Sequence, residues 1–252
     1  MMNPIDSLLL DRSHAQESAY FLLNFLGMRV CSYLLLLGVL MLCSCRGDKH
    51  TLLSESEEIM ENQPIKTIRP KKIVFFGNSL TAAFGLDPQD GFTAIIERKL
   101  IEKDSFFRII NAGISGDTAE EGNARVDWVL QQRIDYFVLE LGLNDIFQGA
   151  SIEEIYQDLA SIIKKVQTAA PETKILLTEL SLPRDFDNST NLAFTAMYQT
   201  LAKELDVVLI DGFLKGVMDV PELNLPDGLH PNAKGQQIIA ENVWRVLGPM
   251  VL

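Results

Sequence analysis

A serine stands close behind the first strand-like segment of the chain, at a position where it could act as a nucleophile. The segment Ile73–Phe76 is continuously apolar and ends at Gly77, two residues before Ser79. A continuous apolar run is typical of a buried parallel strand, and ligands of open α/β sheets bind just outside the carboxyl ends of such strands. The spacing therefore predicts Ser79 at the edge of a sheet, with a helix following it. The same residues taken alone would suit a turn or the N-cap of a helix.

Asp227 and His230 could supply the other two groups that a nucleophilic serine needs. A base must take the hydroxyl proton, and a carboxylate must hold that base in one tautomer and stabilise its charged form. His230 is the only one of the three histidines outside the N-terminal region, and Asp227 lies three residues before it. Gly228 and Pro231 favour a turn at this point. We therefore identify Ser79, His230 and Asp227 as a candidate catalytic triad for acyl transfer; the alternative is an ordinary turn before the last helix.

The loops after the second and third strand-like runs carry hydrogen-bond donors for an oxyanion. Gly116 follows the second run, and Asn144 follows the third. Because the carboxyl-end loops of parallel strands meet at one edge of a sheet, we expect the backbone N–H groups of Ser79 and Gly116 and the side-chain amide of Asn144 to converge. Each such donor lowers the barrier by about 3 kcal/mol. Taken singly, Gly116 would be a loop glycine and Asn144 a turn or helix-cap residue.

Several neighbouring side chains are interpreted as structural. Asp117 and Asp145 each follow one of the donor residues, and we expect them to accept hydrogen bonds from loop backbone rather than to act as catalysts. Four apolar residues could line an acyl pocket, although packing in the core or at the rim is favoured for each. These four are Phe84, Phe147, Leu182 and Pro183.

Apolar runs that alternate with helical patterns after Lys71 predict the scaffold that would position these residues. Strands joined by helices imply right-handed crossovers and a parallel sheet covered on both faces. Ser151 and Glu154 form a capping box at the start of the longest predicted helix. The sequence therefore predicts an α/β fold with a five-stranded parallel sheet. The predicted strands are Ile73–Phe76, Phe107–Ile110, Tyr136–Leu141, Lys174–Thr178 and Val207–Ile210, and the predicted helices cover about 91–101, 118–132, 151–170, 191–204 and 233–247.

Composition and motif content exclude several other classes of function. The formal net charge of -12 argues against a nucleic-acid partner, which would reward basic patches. All three cysteines precede residue 46, so the rest of the chain has no disulfide framework and no cysteine-based metal site. A single histidine there rules out a multi-histidine zinc site. Neither a dinucleotide-binding glycine fingerprint nor a phosphate-binding loop occurs.

The N-terminal region has the pattern of an export signal followed by a tether. Residues 34–42 are apolar and follow Arg29, which is typical of a secretory signal and too short for a confident spanning helix. The segment then ends in a pattern that resembles a bacterial lipoprotein lipobox, which implies lipidation of Cys45 and membrane contact through that lipid. The acidic residues within 1–27 favour translation from Met28. An uncleaved anchor over 19–42 is the alternative.

The chain is accordingly divided into three regions. Residues 1–45 are the N-terminal extension and lipoprotein-type signal peptide, and residues 46–69 form a polar linker without the apolar content to build a core. Residues 70–252 form the folded domain, which begins at Pro70. The expected location is an exported, membrane-anchored lipoprotein that faces the periplasm or the cell exterior.

In type and order, four residues resemble the conserved blocks of the SGNH (GDSL-like) hydrolases, over roughly Lys72–Leu247. They are Ser79, Gly116, Asn144 and His230. The resemblance is to the bacterial group that includes acyl-CoA thioesterase/lysophospholipase and arylesterase. It implies a flavodoxin-like three-layer α/β/α sandwich, a triad of Ser79, His230 and Asp227, an oxyanion hole of Ser79, Gly116 and Asn144, and neither metal nor cofactor. Two positions depart from the family pattern: Asn78 replaces the usual Asp, and Leu143 replaces a usual Gly.

The resulting hypothesis is a serine esterase that hydrolyses carboxylic ester or thioester bonds of a small-molecule or lipid substrate. Acyl esters, lysophospholipids and aryl esters are the substrate types that the resemblance implies. One alternative is carbohydrate O-deacetylation, which the same family also performs. Another is a catalytically silent surface binding module, which Asn78 and Leu143 keep open.

Overall fold

A five-stranded parallel sheet forms the centre of the protein in the computed structural model, which describes residues 69–252. The spatial order of the strands is β2-β1-β3-β4-β5, and every neighbouring pair is parallel. The chain therefore runs from β1 outward to β2 and then crosses to the other side of β1 to make β3. Ligands of open α/β sheets bind at such a switch in direction, here between the carboxyl ends of β1 and β3. The strands are β1 Lys71–Gly77, β2 Phe107–Gly113, β3 Tyr136–Glu140, β4 Lys174–Thr178 and β5 Val208–Ile210.

Helices in two groups cover the sheet and make a three-layer sandwich. In one group, the fifth helix of the chain contacts the third and the sixth. In the other group, the second helix contacts the seventh. The predicted flavodoxin-like α/β fold with five parallel strands is therefore confirmed. The helices are α1 Ser79–Ala82, α2 Phe92–Glu102, α3 Ala119–Val129, α4 Leu143–Phe147, α5 Ile152–Ala169, α6 Asn188–Glu204 and α7 Ala233–Val251, with short 3-10 turns at Pro88–Asp90 and Pro221–Leu223.

The central strands β1 and β3 are mainly apolar because helices cover both faces of the sheet. Residues Ile73–Phe76 of β1 and Phe137–Leu139 of β3 are almost completely buried. The ring of Phe92 on α2 packs edge-on against Phe75, with centroids 5.3 Å apart, and so joins one helical layer to the sheet. The sheet is thus a rigid support whose carboxyl edge holds the candidate residues.

The ends of several helices differ from the predicted ones for identifiable reasons. Helix α6 begins at Asn188, three residues earlier than predicted, because the Asp187 side chain caps it by accepting from the Thr190 N–H. Helix α7 continues to Val251, beyond the predicted end and past a proline. Its last turn is tied to the sheet, since the hydroxyl of Tyr136, at the start of β3, donates to the Met250 carbonyl at 2.6 Å.

The capping box at the start of α5 is present as predicted. The Ser151 hydroxyl accepts from the Glu154 N–H at 3.2 Å, and the Glu154 carboxylate accepts from the Ser151 N–H at 2.8 Å. Thr118 and Glu121 form a second capping box at the start of α3, which was not predicted. Both boxes fix helix starts that follow loops at the carboxyl edge of the sheet.

The predicted signal segment, the lipidation site at Cys45 and most of the predicted linker lie outside the described residues and stay predictions. Within residues 69–252, no helix combines the length and the apolar character that crossing a membrane requires.

Candidate active site

Ser79 is the first residue of α1, directly beyond the end of β1. Asn78 caps this helix, because its side-chain oxygen accepts from the Leu80 N–H at 3.0 Å. The turn before it is tight: a Cβ atom on Gly77 would lie 2.3 Å from the Thr81 hydroxyl, so only glycine fits there. The result is a Ser79 side chain that is 8% exposed and held at the lip of the sheet.

The turn that carries Asp227 and His230 is closed by its own hydrogen bonds. The Leu225 N–H donates to the His230 carbonyl at 2.7 Å, and an isolated bridge joins Asn224 to Pro231. One oxygen of the Asp227 carboxylate accepts from the backbone N–H of Leu229 and of His230, at 2.9 Å and 3.0 Å. The other carboxylate oxygen is therefore left to face the imidazole.

The three candidate triad residues meet in one hydrogen-bonded chain. The Ser79 hydroxyl oxygen lies 3.0 Å from Nε2 of His230, and Nδ1 of His230 lies 2.8 Å from Oδ2 of Asp227. The hydrogen bond from the His230 backbone N–H is the main cause that lowers the pKa of Asp227 to about 2. The carboxylate is thus charged at neutral pH and can stabilise a protonated imidazole. This arrangement can remove a proton from a serine hydroxyl.

The candidate oxyanion donors lie in two loops that are tied to each other and to β1. The Asn144 amide donates one hydrogen to the Asp117 carbonyl at 2.9 Å, which leaves its second hydrogen free to face the cleft that it shares with Ser79. The loop before Gly116 is fixed by a bond of 3.0 Å from the Ile114 N–H to the Gly77 carbonyl. Gly116 has a φ of +95°. Among residues 69–252, no acceptor pairs with the backbone N–H of either Ser79 or Gly116.

Asp117 and Asp145 both hold the surrounding loops, in different ways. The Asp145 carboxylate accepts from the Ala119 N–H at the start of α3, at 2.9 Å and 3.0 Å, as expected for a loop acceptor. The expectation was wrong for Asp117, whose carboxylate pairs with the Arg125 side chain instead of loop backbone. Arg125 also donates to the Gly77 carbonyl at 3.1 Å, so this ion pair supports the turn before Ser79.

Glu140, the last residue of β3, is a buried carboxyl that the sequence interpretation missed. Its Oε2 atom accepts from the Asn78 N–H at 3.2 Å and from the Thr81 hydroxyl at 2.8 Å, on either side of Ser79. Its Oε1 atom has no partner among the described residues. Burial is the main cause that raises the pKa of Glu140 to about 8. The available signal was an acidic residue within the apolar run Tyr136–Leu141.

An apolar cleft opens beside Ser79 and His230. Of the four residues considered for an acyl pocket, Phe147 and Pro183 line this cleft and Leu182 is buried in the core. The departure at Leu143 adds a further apolar side chain to the wall. Three lining residues come from loops without periodicity and were missed by the sequence interpretation. They are Leu214, Met218 and Leu229.

Within the described residues, no group of three or more His, Cys, Asp or Glu side chains could hold a metal ion. The groups that meet at the site are the Ser79 hydroxyl, the His230 imidazole, the Asp227 carboxylate and the Asn144 amide. Fold and site together define a three-layer α/β protein with an activated serine at the switch point of its sheet.

Comparison with known proteins identifies the family. The model of the GDSL-like lipase/acylhydrolase family matches residues 75–238. The esterase TesA of Pseudomonas aeruginosa is 34% identical over 180 residues, which cover 71% of this chain and 89% of that protein. Thioesterase 1/protease 1/lysophospholipase L1 of Escherichia coli K12 is 36% identical over 180 residues, covering 71% and 84%. The chain belongs to the GDSL-like lipase/acylhydrolase family, and it is a serine ester hydrolase.

Solved structures agree with this assignment. A crystal structure of TesA superposes with a TM-score of 0.69 at 33% identity and covers 71% of this chain and 99% of that one. AlinE4, described as an SGNH-hydrolase family esterase, superposes with a TM-score of 0.59 at 32% identity, covering 73% and 97%. The resemblance inferred from the four blocks is therefore confirmed for the family and the fold.

Proposed function

We propose that the protein cleaves carboxylic esters or thioesters through an acyl-enzyme on Ser79. The observation that carries the proposal is the unbroken chain from the Ser79 hydroxyl through His230 to Asp227, with links of 3.0 Å and 2.8 Å. Nε2 of His230 takes the hydroxyl proton while Oγ attacks the carbonyl carbon. The same nitrogen then gives that proton to the departing oxygen or sulfur. Water repeats the sequence on the acyl-enzyme and releases the acid.

The oxyanion of each tetrahedral intermediate is bound by three donors in this proposal. They are the backbone N–H groups of Ser79 and Gly116 and the free amide hydrogen of Asn144. Fixed donors stabilise charge that develops in the transition state without having to reorganise. The bond from Asn144 to the Asp117 carbonyl supports this role, because it fixes the amide plane before substrate arrives.

The cleft favours an apolar acyl group. Its walls are mainly aliphatic and aromatic side chains, whose burial against an alkyl chain is worth about 0.8 kcal/mol for each methylene. The names of the relatives, which include thioesterase, lysophospholipase and arylesterase, support acyl esters with varied leaving groups. We assign lysophospholipid, thioester and aryl ester substrates on that basis.

Turnover of ester panels by the full chain in detergent tests the activity. We expect hydrolysis of p-nitrophenyl esters and covalent labelling by a fluorophosphonate. Ser79→Ala should abolish both with unchanged melting, whereas Ser161→Ala, on α5, should leave both intact. A folded wild type that neither turns over an ester nor takes up the label would leave a silent binding module as the function.

We also propose that the protein is exported and anchored by a lipid on Cys45, facing the periplasm or the cell exterior. The support is the sequence alone: an apolar segment after Arg29 that ends close to Cys45, and a polar tether behind it. Mass spectrometry of the mature N-terminus tests this proposal. A lipid-modified residue 45 is expected, and it should be lost in Cys45→Ala and kept in Cys43→Ala. An unmodified N-terminus at another residue would contradict it.

A further inference from the structure

The ring of Phe84 covers the imidazole of His230 from outside the apolar cleft. The two ring centroids lie 4.5 Å apart, and the ring planes are tilted by 39°. Phe84 does not line the cleft, and 47% of it remains exposed. An aromatic side chain therefore lies directly beside the group that moves the proton, with much of its surface open to a ligand.

An unusual backbone conformation places Phe84 there. Ala83 has a φ of +57°, a left-handed conformation that costs a residue with a Cβ atom. Gly85 follows with a φ of +76°. Between them, the Phe84 N–H donates to the Ser79 carbonyl at 3.0 Å, so the backbone of Phe84 is tied to the backbone of the nucleophile. This turn places Phe84 beside His230.

The geometry of ester cleavage assigns each part of a substrate to a side of the site. When the Ser79 oxygen bonds to the carbonyl carbon, that carbon carries an oxyanion, an acyl chain and a leaving group. The oxyanion faces Gly116 and Asn144, and the acyl chain enters the apolar cleft. The leaving oxygen must lie within hydrogen-bonding reach of Nε2 of His230, because its bond to carbon breaks as it takes the proton that Ser79 gave up. The rest of the leaving group is then beside Phe84.

We propose that Phe84 is a specificity-determining residue that binds the alcohol or thiol half of the substrate against its exposed ring and so favours aromatic leaving groups. This inference rests on the proposed hydrolytic function. It adds to that function the residue that selects the leaving group. Contact between aromatic rings adds about 3- to 10-fold beyond the effect of buried area.

Two acetate esters separate leaving-group binding from chemistry. Benzyl acetate and ethyl acetate form the same acetyl-enzyme and release alcohols of similar basicity, so the ratio of their kcat/KM values reports contacts of the leaving group during acylation. Phe84→Ala should lower the benzyl-to-ethyl ratio by about 3- to 10-fold, and Phe84→Tyr should retain it. Trp128→Ala, which changes an exposed aromatic residue at the far end of α3, should leave the ratio unchanged.

The acyl side provides the matched control. The ratio of ethyl hexanoate to ethyl acetate should fall in Phe147→Ala, in the cleft wall, and should not change in Phe84→Ala. If Phe84→Ala lowers kcat/KM for benzyl and ethyl acetate by the same factor, the ring only supports the imidazole and the proposal is wrong. If Phe84→Ala changes neither kcat/KM value, the proposal also fails, although hydrolysis by the wild type still stands. A wild type inactive on every ester would instead overturn the proposed function itself.

Discussion

Replacing Glu140 with Gln should stabilise the protein at alkaline pH. Burial raises the pKa of this carboxyl from 4.5 to about 8. Between these values the native state keeps a proton that the unfolded chain has released, so the free energy of unfolding falls as the pH rises from 4.5 to 8 and levels off above. At about 1.4 kcal/mol for each unit of pKa, the full loss is about 5 kcal/mol.

The glutamine side chain has no such proton to lose. Its oxygen can still accept from the Asn78 N–H and the Thr81 hydroxyl, which Oε2 of Glu140 now does. Its amide nitrogen would occupy the place of Oε1, which has no partner among the described residues, at a cost of about 1–3 kcal/mol. Glu140→Gln should therefore be about 3 kcal/mol more stable than the wild type above pH 8 and about 1 kcal/mol less stable near pH 5, where the wild type has lost only about 1 kcal/mol. For a domain of this size the gain above pH 8 is roughly 6–12 °C in Tm.

Thermal and urea melts at pH 5, 7 and 9 test this expectation, with Glu102→Gln at an exposed carboxylate of α2 as the control. The pKa of Asp145 is also raised, mainly by burial, but Asp145 is present in every variant and cancels in the comparison. The difference between Glu140→Gln and the wild type should grow from pH 5 to pH 9, and Glu102→Gln should follow the wild type. Parallel melting curves for Glu140→Gln and the wild type across this range would refute the reasoning, because Glu140 would then titrate alike in folded and unfolded chains.

Three further substitutions test the site. Asp227→Asn should lower kcat by about 10³- to 10⁴-fold with folding intact, because the imidazole loses the group that orients it. If hydrolysis of a short ester falls by less than tenfold, Asp227 does not have that role. Asn144→Ala should lower kcat by about 10²- to 10³-fold at little changed KM, and a change in KM alone would argue against an oxyanion donor. Gly142→Ala should destabilise the fold, since its φ is +121° and a Cβ atom would lie 2.3 Å from the Tyr198 hydroxyl; melting should show this, and an unchanged Tm would contradict the packing argument.

The framework and the triad could be predicted because each leaves a local signal. Strands buried on both faces are mainly apolar, so their positions follow from runs such as Ile73–Phe76. Parallel topology then requires the loops after these strands to share an edge, which brings Ser79 close to Asn144. The single histidine of the folded region left His230 as the only base.

Features that depend on three-dimensional pairing could not be predicted in the same way. Glu140 lies opposite Gly77 in the register between β3 and β1, and its carboxyl lies in the space that a Cβ atom on Gly77 would need. No local pattern contains that pairing. The sequence also gives no sign of the left-handed conformation of Ala83, because alanine is typical of helices. The position of Phe84 beside His230 depends on that conformation. It could not be inferred from the types of the adjacent residues.

The base and its carboxylate partner share a single short turn, with consequences for how activity is gained and lost. Asp227 and His230 are held by the bond between Leu225 and His230 and by the bridge from Asn224 to Pro231, while Ser79 belongs to the central sheet. Local opening of this turn would separate Ser79 from its base and make it inactive, while every strand stays folded. Hydrolytic competence should therefore track amide exchange in residues 224–231 more closely than global unfolding, and a folded population can contain molecules that are temporarily inert.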